Sequence, residues 1–316
     1  MQADFIKEVV SHTRPLKCAE TGLAAKFFVI DEVAYSYYRA VLLSTPAPGF
    51  PNFVVDGDAL IKAVAGLKSE VKLSVSDTRL TMTCGKVRTW LPLFFEELPM
   101  LPQPTHFIQV SGQLLPTLKE LAKLVPEEAP RLWGTSLLLR GEHGYATDSV
   151  YMVRTPLGVK LPFEVALPKS CVTVLTKLSR EPVAIAFERN TLTFTFSDHS
   201  YMQTPVLAER WPDLDPFFPD LEYEPVVAEL VEALEQVKAY AEPGVTIEFL
   251  PPNKACFNTE QGTADMVFDT HFIKKYHTLS LQRLFQFYKK ESSIAMTAKF
   301  ISIQGNNQTV VLAFKG

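Results

Sequence analysis

The side chains with which a protein does chemistry are scattered through this sequence. Six histidines stand at His12, His106, His143, His199, His271 and His277, and no two have the spacing that sets a metal-ligand pair on one helix face. Cys18, Cys84, Cys171 and Cys256 have no CxxC spacing and read as buried thiols of a reducing cytosol. Lys169 near Cys171 would lower a thiol pKa, but Cys171 falls on the apolar side of its helix with Val172 and Leu175. Asp148, Asp198, Asp213 and Asp215 would make a metal site if gathered; singly, each has the ordinary use of a turn acid. There is no Gly-rich phosphate loop, HExxH or nucleophile elbow. The residues point away from catalysis and from a metal or other cofactor, and toward binding.

Aromatic residues need the same weighing. Phe285, Phe287 and Tyr288 beside Lys289 and Lys290 have the composition of a base-stacking surface. Leu281, Leu284 and Phe285 nevertheless recur at helical spacing and read as core. Phe94-Phe95 and Phe217-Phe218 are apolar pairs in linking segments, placed to pack between domains or to meet a partner.

The elements that position these residues recur. A helix after Pro168 carries Val172, Leu175 and Leu178, and two alternating strands follow, Val183–Glu188 and Thr191–Ser197, then a third, Tyr201–Leu207. Val71–Met82 and Ile294–Ile303 show the same hairpin pattern, at offsets of 112 and 111 residues. Each hairpin follows a helical stretch (Asp58–Lys68, Pro168–Arg180, Leu279–Lys290), with another upstream (Phe5–Ser11, Leu114–Val125, Val226–Lys238). Asp56 and Asp58 both suit a cap for the second helix. A period this long exceeds a solenoid unit, so each repeat reads as a small domain. The spacings divide the chain at residues 1–104, 105–219 and 220–316.

Composition agrees. At 316 residues the chain exceeds one ordinary core, and 47% hydrophobic content argues against disorder. Neither an export signal nor a run of the ~20 apolar residues that spans a membrane stands out, so a cytoplasmic protein is expected. Net charge is −4, yet the six helical stretches with their flanks (Asp4–Arg14, Asp56–Lys68, Leu114–Val125, Leu167–Arg180, Val226–Lys238 and Thr278–Lys290) sum to +5 and leave −9 for the rest. Mildly basic helices on an acidic body suit a polyanion, although ordinary solvated helix faces account for any one lysine equally well.

With three repeats and the segments ATDSVYMV (Ala146–Val153), LPKSCVTVLTKL (Leu167–Leu178) and ERWPDLDPFFP (Glu209–Pro219), the chain resembles the bacterial DNA polymerase sliding clamp, the β subunit of the replicative polymerase. Ala146-Thr147-Asp148 match that family's segment, while Ser149, Val150 and Tyr151 replace its Gly-His-Arg, and Trp211 replaces a Phe before the matching Pro212-Asp213. The chain is shorter than a typical member, which fits a divergent version carried by a phage or plasmid.

The resemblance implies an α+β fold of three repeated clamp-like domains, each with two helices packed on antiparallel β-sheets. It implies no enzyme activity. Two copies would join head to tail around double-stranded DNA, read without sequence preference, helices inward. The lining cations would be Lys7, Arg14, Lys62, Lys68, Lys119, Lys123, Lys169, Lys177, Arg180, Lys238, Arg283, Lys289 and Lys290. DNA polymerase and other partners would dock by short peptides in a pocket mapped to Thr147, Ser149, Val150, Tyr151, Met152, Pro219, Val310 and Leu312, and a clamp loader would place the ring. Arg88 and Trp90, on an edge strand of the first domain, would meet the third domain of the other copy. A β-rich repeat protein with a structural or scaffold role is the alternative from a different class.

Overall fold

The computed structural model describes residues 1–13, 25–38, 41–99, 101, 103–178, 180–226, 228–237, 239, 245–259, 262–267, 277–287, 292–297, 299–305 and 307–313. Arg14, Lys238, Lys289 and Lys290 lie outside these described residues.

Helices form where apolar residues recur every three or four positions. α1 (Ala3–His12) buries Ala3, Ile6, Val9 and Val10, and Asp4 in its first turn complements the helix dipole. α2 (Gly57–Ala65) is capped by Asp56, whose Oδ1 accepts from the Ala59 N–H at 3.0 Å, so Asp56 rather than Asp58 starts it. α3 (Leu114–Leu124), α4 (Lys169–Lys177) and α5 (Ala228–Val237) fall within the expected stretches. α6 covers Leu281–Phe287, and residues 288–290 of the expected stretch lie outside the described residues. Leu279 and Ser280 belong instead to a strand, His277–Ser280, in which Leu279 lies opposite Ile247. Apolar spacing alone does not separate a short helix from a strand that runs into it.

Apart from two short strands, Ile108–Gln109 and Glu224–Pro225, and two 3-10 turns, the order of elements among the described residues repeats three times as helix, four strands, helix, three strands. After α1 come Lys26–Ile30, Val33–Tyr38, Val41–Pro46 and Phe53–Asp56; after α2 come Val71–Val75, Arg79–Cys84 and Val87–Pro92. After α3 come Ser136–Arg140, His143–Thr147, Tyr151–Pro156 and Glu164–Pro168; after α4 come Ala184–Glu188, Thr191–Thr195 and Tyr201–Pro205. After α5 come Thr246–Leu250, Lys254–Thr259, Gly262–Val267 and His277–Ser280; after α6 come Ser293–Met296, Phe300–Gly305 and Gln308–Ala313.

The chain packs as two compact units, Met1–Lys119 with Leu161–Ala208, and Glu120–Lys160 with Glu209–Gly316. In the first unit one antiparallel sheet runs Phe53–Asp56, Lys26–Ile30, Val33–Tyr38, Val41–Pro46, Tyr201–Pro205, Thr191–Thr195, Ala184–Glu188, Ile108–Gln109. Its middle joins the first repeat to the second, with Leu42, Leu43 and Ser44 opposite Gln203, Met202 and Tyr201. In the second unit Tyr151–Pro156 pairs with Gln308–Ala313 in the same way, joining the second repeat to the third. Beneath the first unit's sheets Ile6, Val9, Phe27, Leu60, Leu80 and Met82 share one core. Each such side chain contributes about 1.5–3 kcal/mol by leaving water.

One polar cluster pins α1 to the second repeat's strands. Arg180 donates through Nη1 to Asp198 Oδ2 at 2.7 Å and to Ser200 Oγ at 2.5 Å, and through Nη2 to the His12 carbonyl at 3.0 Å. Its guanidinium lies 4.3 Å from the Phe196 ring centroid, and only 14% of the side chain is exposed. His12 Nδ1 meets the same Asp198 oxygen at 3.0 Å. Arg180 is therefore a structural ion, and its placement corrects the expectation of a cation facing a polyanion. Its carboxylate partner lies 18 residues away and its backbone acceptor 168 residues away, so local sequence shows neither.

Replacing Arg180 by Ala should strand a half-buried carboxylate and lower the unfolding free energy by about 2–4 kcal/mol in urea titration. No change would remove the cluster from the account. Burial pushes the Asp198 carboxyl up, but the Ser200 hydroxyl and the Arg180 charge outweigh it and hold the group below its ordinary value. A carboxyl depressed in the folded state stabilises fully above its unfolded pKa of about 3.9 and loses that contribution as pH falls through the folded value. Asp198→Asn should therefore flatten the acid end of the stability–pH curve.

Candidate functional site

The turn between His143–Thr147 and Tyr151–Pro156 is built by its own side chains. Asp148 Oδ1 accepts from the Val150 and Tyr151 N–H groups at 3.0 and 3.1 Å, and Asp148 Oδ2 pairs with Arg283 of α6. Thr147 Oγ1 donates to the Tyr151 carbonyl at 2.5 Å and accepts from the Ser149 N–H at 3.2 Å. Ser149 takes φ +77°, a left-handed conformation that favours glycine.

The strand leaving this turn has two different faces. Tyr151 points to the helices: its hydroxyl donates to the Leu124 carbonyl at 2.7 Å and its ring meets Phe287 edge-on, centroids 4.8 Å apart. The Arg283 guanidinium lies 5.0 Å from that ring's centroid. Burial, then the nearby Asp148 charge, pushes the Tyr151 phenol up to about 12. On the opposite face, the side of Val150 and Met152, a cavity of 390 Å³ opens.

The cavity walls come from distant parts of the second unit. Thr147, Ser149, Val150, Tyr151 and Met152 line it from the turn, Trp133, Pro212, Pro216 and Phe217 from the linking segments, and Lys299, Phe300, Val311 and Ala313 from the third repeat. Trp133 packs on Trp211 at 5.2 Å, and Trp211 Nε1 donates to Ser136 Oγ at 3.1 Å, which holds this wall in place. Phe218 turns inward onto Tyr145, while Phe217 stays 38% exposed at the cavity and Val150 43%. Among the described residues Lys299 is the one charged side chain in the lining.

Of the expected pocket residues, Thr147, Ser149, Val150, Tyr151 and Met152 come together here. Val311 and Ala313 line the cavity in place of Val310 and Leu312, because a one-residue step along a strand reverses its face. Val310 and Leu312 are buried, opposite Val153 and Tyr151. Pro219 is exposed and outside the lining. Trp133, Lys299 and Phe300 were not legible; for the wall of Pro212, Pro216 and Phe217 the signals were the Glu209–Pro219 segment and the Phe217-Phe218 pair, neither of which named Pro212 or Pro216 as lining.

The candidate cations divide by environment. Lys62 of α2, Lys119 of α3, Lys177 of α4 and Lys68 are exposed. Lys7 reaches Asp4 at 3.6 Å and Lys123 reaches Glu120 at 2.6 Å, exposed pairs of little energy. Lys169 is half-buried, and Arg283 is committed to Asp148 and the Tyr151 ring. Arg88 and Trp90 are exposed on the terminal strand of a three-stranded sheet. Cys171 is buried against Thr204 Oγ1 at 2.8 Å, and burial pushes its thiol up. Asp213 accepts from the Asp215 N–H at 3.2 Å and Asp215 faces Arg140 at 3.8 Å, so these acids serve separate local bonds.

This architecture over the whole chain is the fold of bacterial DNA polymerase sliding clamps. The β clamp of Helicobacter pylori, solved with a DNA ligase peptide, superposes with a TM-score of 0.72 at 15% identity, covering 100% of this chain and 99% of that one. The sliding clamp of Bacillus subtilis gives 0.73 at 16% identity, covering 100% and 98%. A DNA polymerase III β subunit described as putative, from Eubacterium rectale, gives 0.76 at 11%, with the same coverage. At such identities the likeness is one of fold. No protein-family model and no curated protein matches the chain.

Replacing Ser149 by Gly should relieve the left-handed strain and raise stability by up to about 1 kcal/mol in thermal or urea unfolding. A loss of stability would mean that the turn needs the serine side chain more than it suffers from its backbone.

Proposed function

We propose that this protein is a DNA sliding clamp, a processivity factor that holds partners on duplex DNA and catalyses nothing. The observation that carries the reading is the preformed apolar cavity beside the Asp148 turn, on a chain whose full length follows the clamp fold. In this reading the three element repeats are three clamp-like domains, residues 1–104, 105–219 and 220–316. Two copies close head to tail around double-stranded DNA in the cytoplasm, placed there by a clamp loader.

Lys7, Lys62, Lys68, Lys119, Lys123, Lys169 and Lys177 would face the phosphates, joined by Arg14, Lys238, Lys289 and Lys290 from outside the described residues. Dispersed surface lysines give a weak, salt-screened attraction that retains DNA without fixing a register, which suits sliding. α5 works against tight binding, since Glu229, Glu232 and Glu235 are its only charges.

The cavity would receive short apolar peptide segments of DNA polymerase and other replication or repair proteins, as the Helicobacter pylori clamp holds a ligase peptide. Its 390 Å³ lie in the range of small-ligand pockets, and its polar demands are few. The Asp148 turn fixes Val150 and Met152 beforehand, so little ordering is left to oppose binding.

Met152→Asp or Val311→Asp should weaken binding of the cognate polymerase's clamp-binding peptide at least about tenfold in calorimetry, since an unpaired charge would enter the apolar wall. Leu312→Ala, on the other face, should lower stability but leave peptide affinity within about threefold. The reverse pattern would place the peptide elsewhere.

A further inference from the structure

The cavity beside the Asp148 turn carries a single charge, and its place bears on what a bound peptide must bring. Tyr151 turns away to the helices, and Arg283, which reaches the turn from α6, is committed to Asp148. On the other wall Glu209 accepts from the Trp133 N–H at 3.2 Å, Asp213 accepts from the Asp215 N–H at 3.2 Å, and Asp215 faces Arg140 at 3.8 Å. These charges serve the protein's own structure. Lys299 differs: it lines the cavity, it is exposed, and among the described residues no carboxylate pairs with it. Residues 292–316, which supply the last three strands, contain Lys299 and Lys315 and no acid.

The turn that carries Lys299 is held by its own bonds. Thr297 Oγ1 accepts from the Lys299 and Phe300 N–H groups at 3.2 and 3.1 Å, and the Thr297 N–H donates to the Phe300 carbonyl at 2.9 Å. Phe300 lies opposite Ala313, whose N–H donates to the Val150 carbonyl at 3.0 Å. Lys299 therefore stands where the last two strands of the third repeat meet the Asp148 turn, on a backbone fixed before anything binds. A peptide that lays apolar groups on Val150, Met152 and Phe300 removes part of the water around this ammonium. Covered without a counter-charge, the ammonium costs binding energy; facing a carboxylate, it attracts more strongly than in open water, because the effective dielectric has fallen.

We infer that Lys299 is a specificity-determining residue of the cavity, selecting peptides with a carboxylate beside their apolar anchor and rejecting those with Lys or Arg there. The inference rests on the cavity reading above and adds to it the charge of the occupant. An apolar wall by itself ranks peptides by size and hydrophobicity; one charge at its rim adds a sign, attractive to one class and repulsive to the other. The carboxylate belongs either to an Asp or Glu side chain or to a free chain terminus, since the ammonium, a compact point charge, accepts both.

The test uses two phage-displayed libraries of random heptapeptides, one flanked by sequence on both sides and one ending in a free carboxylate. Each is selected on the wild-type chain, and only peptides that Met152→Asp fails to bind are kept. Enrichment of Asp or Glu in the flanked library makes the source a side chain; enrichment in the free-ended library alone makes it the terminus. The strongest binder is then synthesised as the acid and as the amide and titrated in calorimetry against wild type, Lys299→Gln and Lys299→Glu, with circular dichroism of each variant. Wild type should bind the acid at least about fivefold more tightly than the amide, Lys299→Gln should bind the two within about twofold, and Lys299→Glu should prefer the amide. The wild-type preference should shrink between about 0.05 and 0.5 M NaCl as the pair is screened. Libraries with no enriched carboxylate, equal affinity of wild type for acid and amide, or a preference that survives in Lys299→Gln would each overturn the role of Lys299. Libraries that yield no peptide dependent on Met152 would instead remove the cavity reading itself.

Discussion

The pairing of sheet edges is the constraint on which the rest of this structure depends. An edge strand presents backbone N–H and C=O groups that must find water or another strand, and long open edges invite the wrong partner. Here a repeat is not closed by itself. Val41–Pro46 of the first repeat is completed by Tyr201–Pro205 of the second, and Tyr151–Pro156 of the second by Gln308–Ala313 of the third. This explains why the compact units straddle the repeats rather than coincide with them.

The cavity is a consequence of one such joint. Met152 and Val311, opposite each other across it, are both in the lining. In the first unit the equivalent pair, Leu42 and Gln203, is covered: Leu42 packs with Phe28 and Leu98, with Tyr35, Tyr37, Leu101 and Tyr201 around them. The segment around Leu98 thus fills over one joint, while the segment from Trp211 to Phe217 leaves Phe217 and Val150 partly in solvent at the other. A cavity arises where a repeated joint lacks the cover that its counterpart has, without any new element.

What the sequence made legible was local. Helices α1 to α5 follow from apolar spacing such as Leu114, Leu118 and Leu121, and the hairpins follow from alternation through short turns. The turn Ala146–Tyr151 was located because its bonds run between near neighbours, as from Asp148 to Tyr151. What was not legible depends on partners far along the chain. Arg180 reads as a free cation until Asp198 and the His12 carbonyl are brought to it. The cavity lining by Val311 rather than Val310 turns on which face of a strand meets a wall containing Trp133, and spacing within Gln308–Ala313 does not tell one face from the other, since residues 310–312 are all apolar.

Small-angle X-ray scattering on the purified chain tests the central claim most directly, because it returns mass and shape together. The account predicts twice the chain mass of 35.4 kDa and a distance distribution with the depleted centre of a hollow ring. A compact particle of single chain mass across micromolar concentrations would contradict it, and the open strands Val87–Pro92 and Gly262–Val267 would then need another explanation.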